Sequence, residues 1–401
     1  MTLKGKRILL GITGGIAAFK SAELARHMLR AGADVRVVLT EAGTRFITPV
    51  TMQGLTGQAA WTDLWDARVP DNMGHIELSR DRDLIVIAPA SADFLAKVAS
   101  GLADDLLSSL CLARRCPLLV APAMNVEMWE NPATRRNIQR LREDGVFLAG
   151  PTQGDQACGE IGMGRMLEAG QILEAVAAQF QPTVLAGRRV LVTAGPTEEP
   201  IDPVRVITNS SSGKMGYAVA RAAVEAGAEV TLISGPVALA APAGVRRVFV
   251  RTAQQMFDEV VAQVRACDIF VSVAAVADYR VAKPSIQKIK KGARSGRTLE
   301  LVENPDILAH VASMQDGPFC VGFAAESENL SANAVAKRKR KRVPLLAANL
   351  VQDALGADVS DVTLFDDRGE HPLGRGLKIE LARKLIAHMA AMVPKRRSGT
   401  G

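Results

Sequence analysis

One pattern, occurring twice, constrains this chain more than any other feature. Residues 7–13 form an apolar, β-rich run, followed by Gly14-Gly15 and an alanine-rich helical stretch. Residues 188–194 repeat the arrangement, with Gly195-Pro196, a polar loop and a helical stretch over 213–226. Each half then offers a second strand, over 34–40 and over 229–234. A continuously apolar strand has no face to offer water. Such strands alternating with helices predict a parallel sheet covered on both sides.

Further strands are expected over 83–88, 117–121 and 146–149 in the first half, and over 268–274, 319–323, 344–347 and 362–365 in the second. Residues 181–187, with a proline and a glycine after a helical stretch, read as a linker. The expectation is therefore an α/β chain of two doubly wound, Rossmann-like domains with mainly parallel sheets. The first covers 1–185, the second 186–394, and 395–401 read as a disordered tail. A length of 401 residues suits two cores better than one. The 48% hydrophobic content with only 4% aromatics fits globular α/β packing and excludes a disordered chain. No apolar run approaches the ~18–20 residues of a membrane helix. Residues 1–6 show no cleavable signal pattern, so a cytoplasmic location is expected.

The net charge of +7 raises the question of nucleic acid. Yet six positive charges lie in 337–342 and three more at Lys395, Arg396 and Arg397, so the rest of the chain carries about −2. Basicity this local suits an anionic small molecule as well as a polynucleotide. The five cysteines, Cys111, Cys116, Cys158, Cys267 and Cys320, contain no CxxC pair. They suit a reduced compartment and outline no metal framework. Cys158 differs from the rest because it sits in a glycine-rich loop, where inert packing is a poorer explanation.

In doubly wound sheets, ligands bind beyond the carboxyl ends of strands at the topological switch point. Gly14-Gly15-Ile16 ends the first strand and opens a helix, which is either a tight turn or an anion site built from backbone N–H groups. No GxGxxG is present, and Thr40 rather than an acid closes the second strand, which favours a single phosphate over a dinucleotide. The run Ala88-Pro89-Ala90-Ser91-Ala92-Asp93 and the run Ala121-Pro122-Ala123-Met124-Asn125 end consecutive strands alike. Asn125 can cap a helix, bind a substrate carboxylate, or do both. His75, in Gly74-His75-Ile76-Glu77, is either structural or catalytic.

In the second half, 193–197 (TAGPT) form a small-residue turn after a strand. Next come Asp202-Pro203-Val204-Arg205 and 209–216 (NSSSGKMG), leading into a helix; GxxxxGK[ST] is absent, so this is no Walker site. The run 274–280 (AAVADYR) places Asp278 at the switch point. Lys288-Ile289-Lys290-Lys291, then Asn304-Pro305-Asp306-Ile307, then 322–326 (GFAAE) follow. Lys337 and Lys341 stand i,i+4 and share one helical face, with Arg338 and Arg342 on a neighbouring one.

GGIA, GHIEL, the paired APA loops ending in APAMN, and ACGxxGxGRM occur in the order seen in flavin-containing cysteine decarboxylases. Residues 5–180 thus resemble the decarboxylase half of the bifunctional bacterial coenzyme A enzymes. TAGPT, NSSSGKMG, AAVADYR, KIKK, NPDI and GFAAE make residues 188–350 similar to CTP-using phosphopantothenoylcysteine synthetases. The resemblance implies a flavodoxin-like FMN domain joined to a nucleotide-binding ligase domain. FMN would meet Gly14, Gly15, Ile16, Thr40, Ala88, Pro89, Ala90, Ser91 and Asp93. It would convert the substrate's CH2–SH to a thioaldehyde, from which carboxylate can leave. His75 would assist that step, Asn125 would bind the carboxylate, and Cys158 would supply the final proton.

For the ligase, the resemblance implies an acyl-cytidylate made from 4′-phosphopantothenate and CTP with Mg²⁺, then attacked by cysteine. Lys288 would support its formation and Asn209 would hold it. Ala274, Ala275, Asp278, Lys288, Asn304, Pro305, Asp306, Ile307, Phe323, Lys337 and Lys341 match CTP positions, while no metal ligand is assigned. A homo-oligomer is implied, a dodecamer of four flavin-domain trimers, with neither nucleic acid nor membrane as partner. Leu350 stands where the family has an acid after Ala-Asn. The competing expectations are an NAD(P)-dependent oxidoreductase and a nucleic-acid-binding protein built on the basic run.

Overall fold

Five of the six residues of β1 (Arg7–Ile12) are buried, because its side chains feed two cores at once. Ile8, Leu10 and Ile12 meet the helices Phe19–Arg30 and Ala169–Ala178 on one face. Leu9 meets the helices Ala92–Ser100, Leu106–Ala113 and Pro132–Glu143 on the other. Gly11 lets one of them come close: a Cβ there would lie 2.6 Å from Leu107 Cδ1. The structure, a computed structural model, describes residues 3–66, 73–157, 159–290, 298–350 and 357–394, in two units, Met1–Gln181 and Pro182–Gly401.

In the first unit β1 is joined by β2 (Asp34–Leu39), β3 (Leu84–Ala90), β4 (Leu118–Pro122) and β5 (Phe147–Leu148). All pairings are parallel, in the order β2-β1-β3-β4-β5. This is the flavodoxin-like order, with its switch point between β1 and β3. β3 and β4 run further than their apolar cores suggested, so the APA segments belong to strand ends and not to loops. A register shift between Ile87 and Ala90 accommodates the change. The glycine-rich stretch expected as a loop is a hairpin, β6 (Thr152–Asp155) with β7 (Ile161–Arg165).

The second unit pairs β8 (Arg189–Ala194) with β11 (Glu229–Ser234) and β13 (Ile269–Ser272). A small ribbon of β9 (Glu198–Pro200) and β10 (Val206–Thr208) follows β8. β12 (Val245–Phe249) lies outside β11; β14 (Tyr279–Val281) and β15 (Leu301–Glu303) form a second ribbon. β16 (Phe319–Glu326) and β17 (Leu345–Leu350) continue the parallel sheet, and β18 (Val359–Asp366) and β19 (Gly369–Leu377) close it antiparallel. The order β12-β11-β8-β13-β16-β17 reproduces the 3-2-1-4-5-6 winding of dinucleotide-binding folds. Helices Lys214–Glu225 and Lys378–Met392 cover one face of this sheet. Helices Ala253–Val264, Ile307–Ala312 and Leu330–Lys341 cover the other. The tail 395–401 lies outside the described residues. Among them, no helix is long and apolar enough to cross a membrane.

Candidate functional site

At the first switch point, Thr13 holds the two strand ends together. Its hydroxyl donates to Pro89 O at 2.8 Å and accepts from Ser91 N at 3.0 Å, while Ser21 Oγ donates to Ala88 O at 2.6 Å. Gly14 is required locally, since a Cβ would stand 2.6 Å from that of Ala42. Gly15 faces open space instead, with nothing within 4 Å of such a Cβ, and Ile16 beyond it is 62% exposed. A ligand therefore has room at the start of the Ile16–Ala18 turn and the helix it leads into. Thr40 accepts from Gly43 N and Ser91 from Phe94 N, so both hydroxyls cap helices. Ala88, Pro89 and Ala90 are buried and support the site from beneath, whereas Asp93 is exposed.

Asn125 caps the helix Val126–Glu130 by accepting from Met128 N at 3.1 Å, and its amide donates to Glu160. The β6–β7 hairpin lies on this cap. Met124 N donates to Gly164 O at 3.0 Å, and Val126 N to Gln156 Oε1 at 3.0 Å. The glycines of the motif make the contact possible: a Cβ on Gly162 would sit 2.6 Å from Val126 Cγ2, and one on Gly164 2.3 Å from Met124 O. Gly164 also has φ +130, which other residues rarely adopt. Lys20, nearly buried, ties the hairpin's far end by donating to Met166 O and to Glu168 at 2.8 Å. Cys158 lies outside the described residues. His75 lies in the first turn of the short helix Gly74–Ser79, and its Nδ1 is buried without a hydrogen-bond partner among the described residues. Leaving such a group unmade costs about 1–3 kcal/mol, which points to a ligand or partner at this spot.

The second switch point opens into a cleft of about 1160 Å³ at the ends of β8, β13, β16 and β17. Asn209, Ala274, Ala275, Asp278, Asn304, Pro305, Asp306, Ile307, Phe323, Lys337 and Lys341 all line it. Asn209 Nδ2 donates to Ala275 O at 2.8 Å. Asn304 donates its backbone N–H to Asp278 O and its amide to Ala277 O, both at 2.8 Å. Asp306 caps the helix Ile307–Ala312 and pairs with Lys341, which locks the basic helix over the cleft. Burial lowers the Lys337 ammonium below the ordinary lysine range, with Glu326 opposing and Arg340 adding to the shift. Burial lowers Lys341 too, against the pull of Asp278. Cations held at a loss in this way are the natural partners of a polyphosphate. Arg338 turns away and pairs with Asp367 at 2.7 Å.

Lys288 is not brought to this cleft. It is exposed, in a segment held by the Asp202–Arg205 turn. There Ile289 N donates to Asp202 Oδ2 at 3.1 Å, and Arg205 Nη2 donates to Ile289 O at 3.1 Å. The N–H of Val204, with those of Ile289 and Arg205, keeps the buried Asp202 carboxyl below the usual carboxylate range. Leu350 ends β17 opposite Glu326. The four described cysteines are poor nucleophiles, since burial raises every thiol, Cys111 and Cys320 to about 12.

Several residues have roles here that their motifs alone did not assign. Thr193 accepts from Ala274 N and Thr197 from Ala277 N, doing for the second switch point what Thr13 does for the first. The shared Thr in ITGG and VTAG was the available signal. Arg340, Lys214 and Lys378 line the cleft, as does Ser360, whose hydroxyl is buried without a partner among the described residues.

Comparison with known proteins covers both units. The family model described as Flavoprotein matches residues 1–181, and the DNA/pantothenate metabolism flavoprotein C-terminal domain matches 185–392. The chain is 48% identical over 397 residues to the Coenzyme A biosynthesis bifunctional protein CoaBC of Vibrio vulnificus (strain YJ016), covering 98% of this chain and 99% of that one. It is 47% identical over 393 residues to the same-named protein of Escherichia coli K12, covering 96% and 97%. A crystal structure of the C-terminal domain of a CoaBC protein matches at 38% identity and TM-score 0.46, over 52% of this chain and 97% of that one.

Proposed function

The chain belongs to the family of bifunctional coenzyme A biosynthesis proteins, and on that premise we propose how its residues divide a ligase and a decarboxylase reaction between the two units. This excludes the NAD(P)-dependent oxidoreductase as the reading of the chain. The observation that carries the ligase half is the cleft, where Lys337, Lys341 and Arg340 face the carboxyl ends of parallel strands. CTP fits that chemistry, with its triphosphate against these cations and against the N-terminal end of the helix Lys214–Glu225. Mg²⁺ would travel with the nucleotide, taking ligands from phosphate and water. A carboxylate needs a better leaving group than hydroxide before an amine can displace it. Transfer of a cytidylyl group to 4′-phosphopantothenate supplies one. Asn209, anchored on Ala275 O, would hold the acyl-cytidylate while cysteine attacks. Lys288 would offset phosphate charge during its formation, after its segment moves or from a second copy of the chain.

For the first unit we propose FMN as the flavin. Its fit rests on the open space beside Gly15, the exposed Ile16 and the unpartnered His75 Nδ1. Backbone N–H groups at Gly15 and Ile16 would hold its phosphate, and the Ala88–Ser91 strand end would flank its ring. When bound, it supplies the reversible two-electron oxidation of the substrate's CH2–SH to a thioaldehyde, which leaves the carboxylate on the neighbouring carbon β to C=S and able to depart. Asn125 would orient that carboxylate, His75 would accept a proton at an imidazole nitrogen, and Cys158 would return one. The product is 4′-phosphopantetheine. A homo-oligomer in the cytoplasm completes the proposal.

The test is direct. Protein incubated with 4′-phosphopantothenate, cysteine, CTP and Mg²⁺ should yield CMP, pyrophosphate and then 4′-phosphopantetheine by mass. Replacing CTP by ATP should abolish formation of 4′-phosphopantetheine, and equal yield of it with either nucleotide would refute the CTP assignment.

A further inference from the structure

Away from the cleft, three side chains from three elements converge. Asp366 ends β18, His371 lies on β19, and His388 lies on the helix Lys378–Met392. His371 Nε2 stands 2.9 Å from Asp366 Oδ1, and His388 Nε2 stands 3.0 Å from Oδ2. The two imidazole centroids are 4.7 Å apart with the rings tilted by 51°. One potential ligand atom from each residue falls within 4.8 Å of the other two. None of the three lines the cleft.

We propose that Asp366, His371 and His388 form a binding site for a first-row divalent metal ion, with zinc as the best match. A tetrahedral zinc with ligands at about 2.0–2.2 Å needs donor atoms roughly 3.4 Å apart, within reach of donors that already lie within 4.8 Å of one another. Imidazole and carboxylate are the donors such ions select. The carboxylate is already fixed, because Arg368 N donates to Oδ1 at 2.7 Å and the Asp366 side chain is only 2% exposed. This backbone bond orients a ligand from behind, as outer partners do in built metal sites. The two rings are 33% and 24% exposed, which leaves water free to complete the coordination shell. Both imidazoles would bind through Nε2 as neutral rings that carry their proton on Nδ1. The metal would cross-link the antiparallel edge of the sheet to the C-terminal helix. That helix starts at Lys378, which reaches the cleft, so the ion would also brace one wall of the nucleotide site.

The experiment titrates the full-length chain, freed of metal by a chelator, with Zn²⁺ in competition with a chromophoric chelator. His388→Ala and His371→Ala are titrated in parallel, with circular dichroism as the folding control. His371 sits on an edge strand and is part exposed, so its loss leaves the fold intact even if that of His388 does not. The expected result is one more equivalent of tightly bound zinc in the wild type than in either variant. Affinity at that equivalent should fall at least ~100-fold, the upper end of what even outer-shell changes cost. Zinc should also raise the melting temperature of the wild type and not that of His371→Ala. Equal zinc stoichiometry and affinity in the wild type and a folded His371→Ala would overturn the site.

Discussion

Lys288 and Lys290 carry equal charge two residues apart, which makes them a fair comparison. If charge alone mattered, alanine at either position would weaken CTP binding by a similar modest factor, as exposed ionic contacts do. A lysine that meets phosphate oxygens as charge develops should instead lose turnover. Lys288→Ala is expected to slow acyl-cytidylate formation by about 10²–10³, the size of a lost oxyanion donor, and Lys290→Ala only slightly. Single-turnover assays with labelled CTP, without and then with cysteine, measure this; equal slowing in both variants would sink the assignment. Asn209→Asp differs, because a carboxylate cannot donate to Ala275 O as the amide does. It should form the acyl-cytidylate but convert it slowly, so the intermediate becomes trappable. Lys337 adds a pH dependence. Its proton is held less tightly than an ordinary lysine's, so kcat/KM for CTP should fall on the alkaline side below the usual lysine range. Lys337→Arg keeps its charge there and should move that limb upward.

The β6–β7 hairpin shows what a glycine-rich element does and why its form was hidden. Methyl groups at Gly162 and Gly164 would strike Val126 and the Met124 carbonyl, so Gly164→Ala should lift the hairpin off the Asn125 cap. The expected outcome is decarboxylation reduced at least tenfold, with ligase turnover unchanged, measured separately on the two substrates. The parallel strands were legible because continuous apolar runs have no alternative use. This hairpin was not, because its alternation is carried by Gly154, Gly162 and Gly164, which have no side chains to mark a buried face. Likewise Phe323, Asn304 and Lys341 were found as motif members, but the cleft that unites them depends on strand order, which local spacing does not encode. Lys288 shows the converse, since its motif is clear while its segment rests on Asp202, away from the cleft lining. Asp202→Ala removes the acceptor of three backbone N–H groups. It should lower ligase turnover as Lys288→Ala does while leaving bound flavin intact.

Each unit winds its own mainly parallel sheet and buries its own pair of cores, so neither needs the other to account for its packing. The first unit nevertheless leaves large apolar side chains in water: Phe19 is 63% exposed, Val50 77% and Ile161 71%. Single exposed apolar side chains are ordinary on a protein surface, and these gain their meaning from the assembly the resemblance implies. We propose assembly through this unit, and the resemblance implies its form: flavin-domain trimers that build a dodecamer when the ligase units pair. Closed symmetry would cover these side chains in every copy alike. Val50→Glu tests the point, because glutamate at an exposed position of the helix Pro49–Thr56 barely disturbs an isolated chain but is costly when buried. Light scattering of the wild type at micromolar concentration should give a mass near twelve chains, and Val50→Glu a smaller assembly. If the wild type scatters as a monomer, these apolar side chains have another purpose and the assembly is refuted.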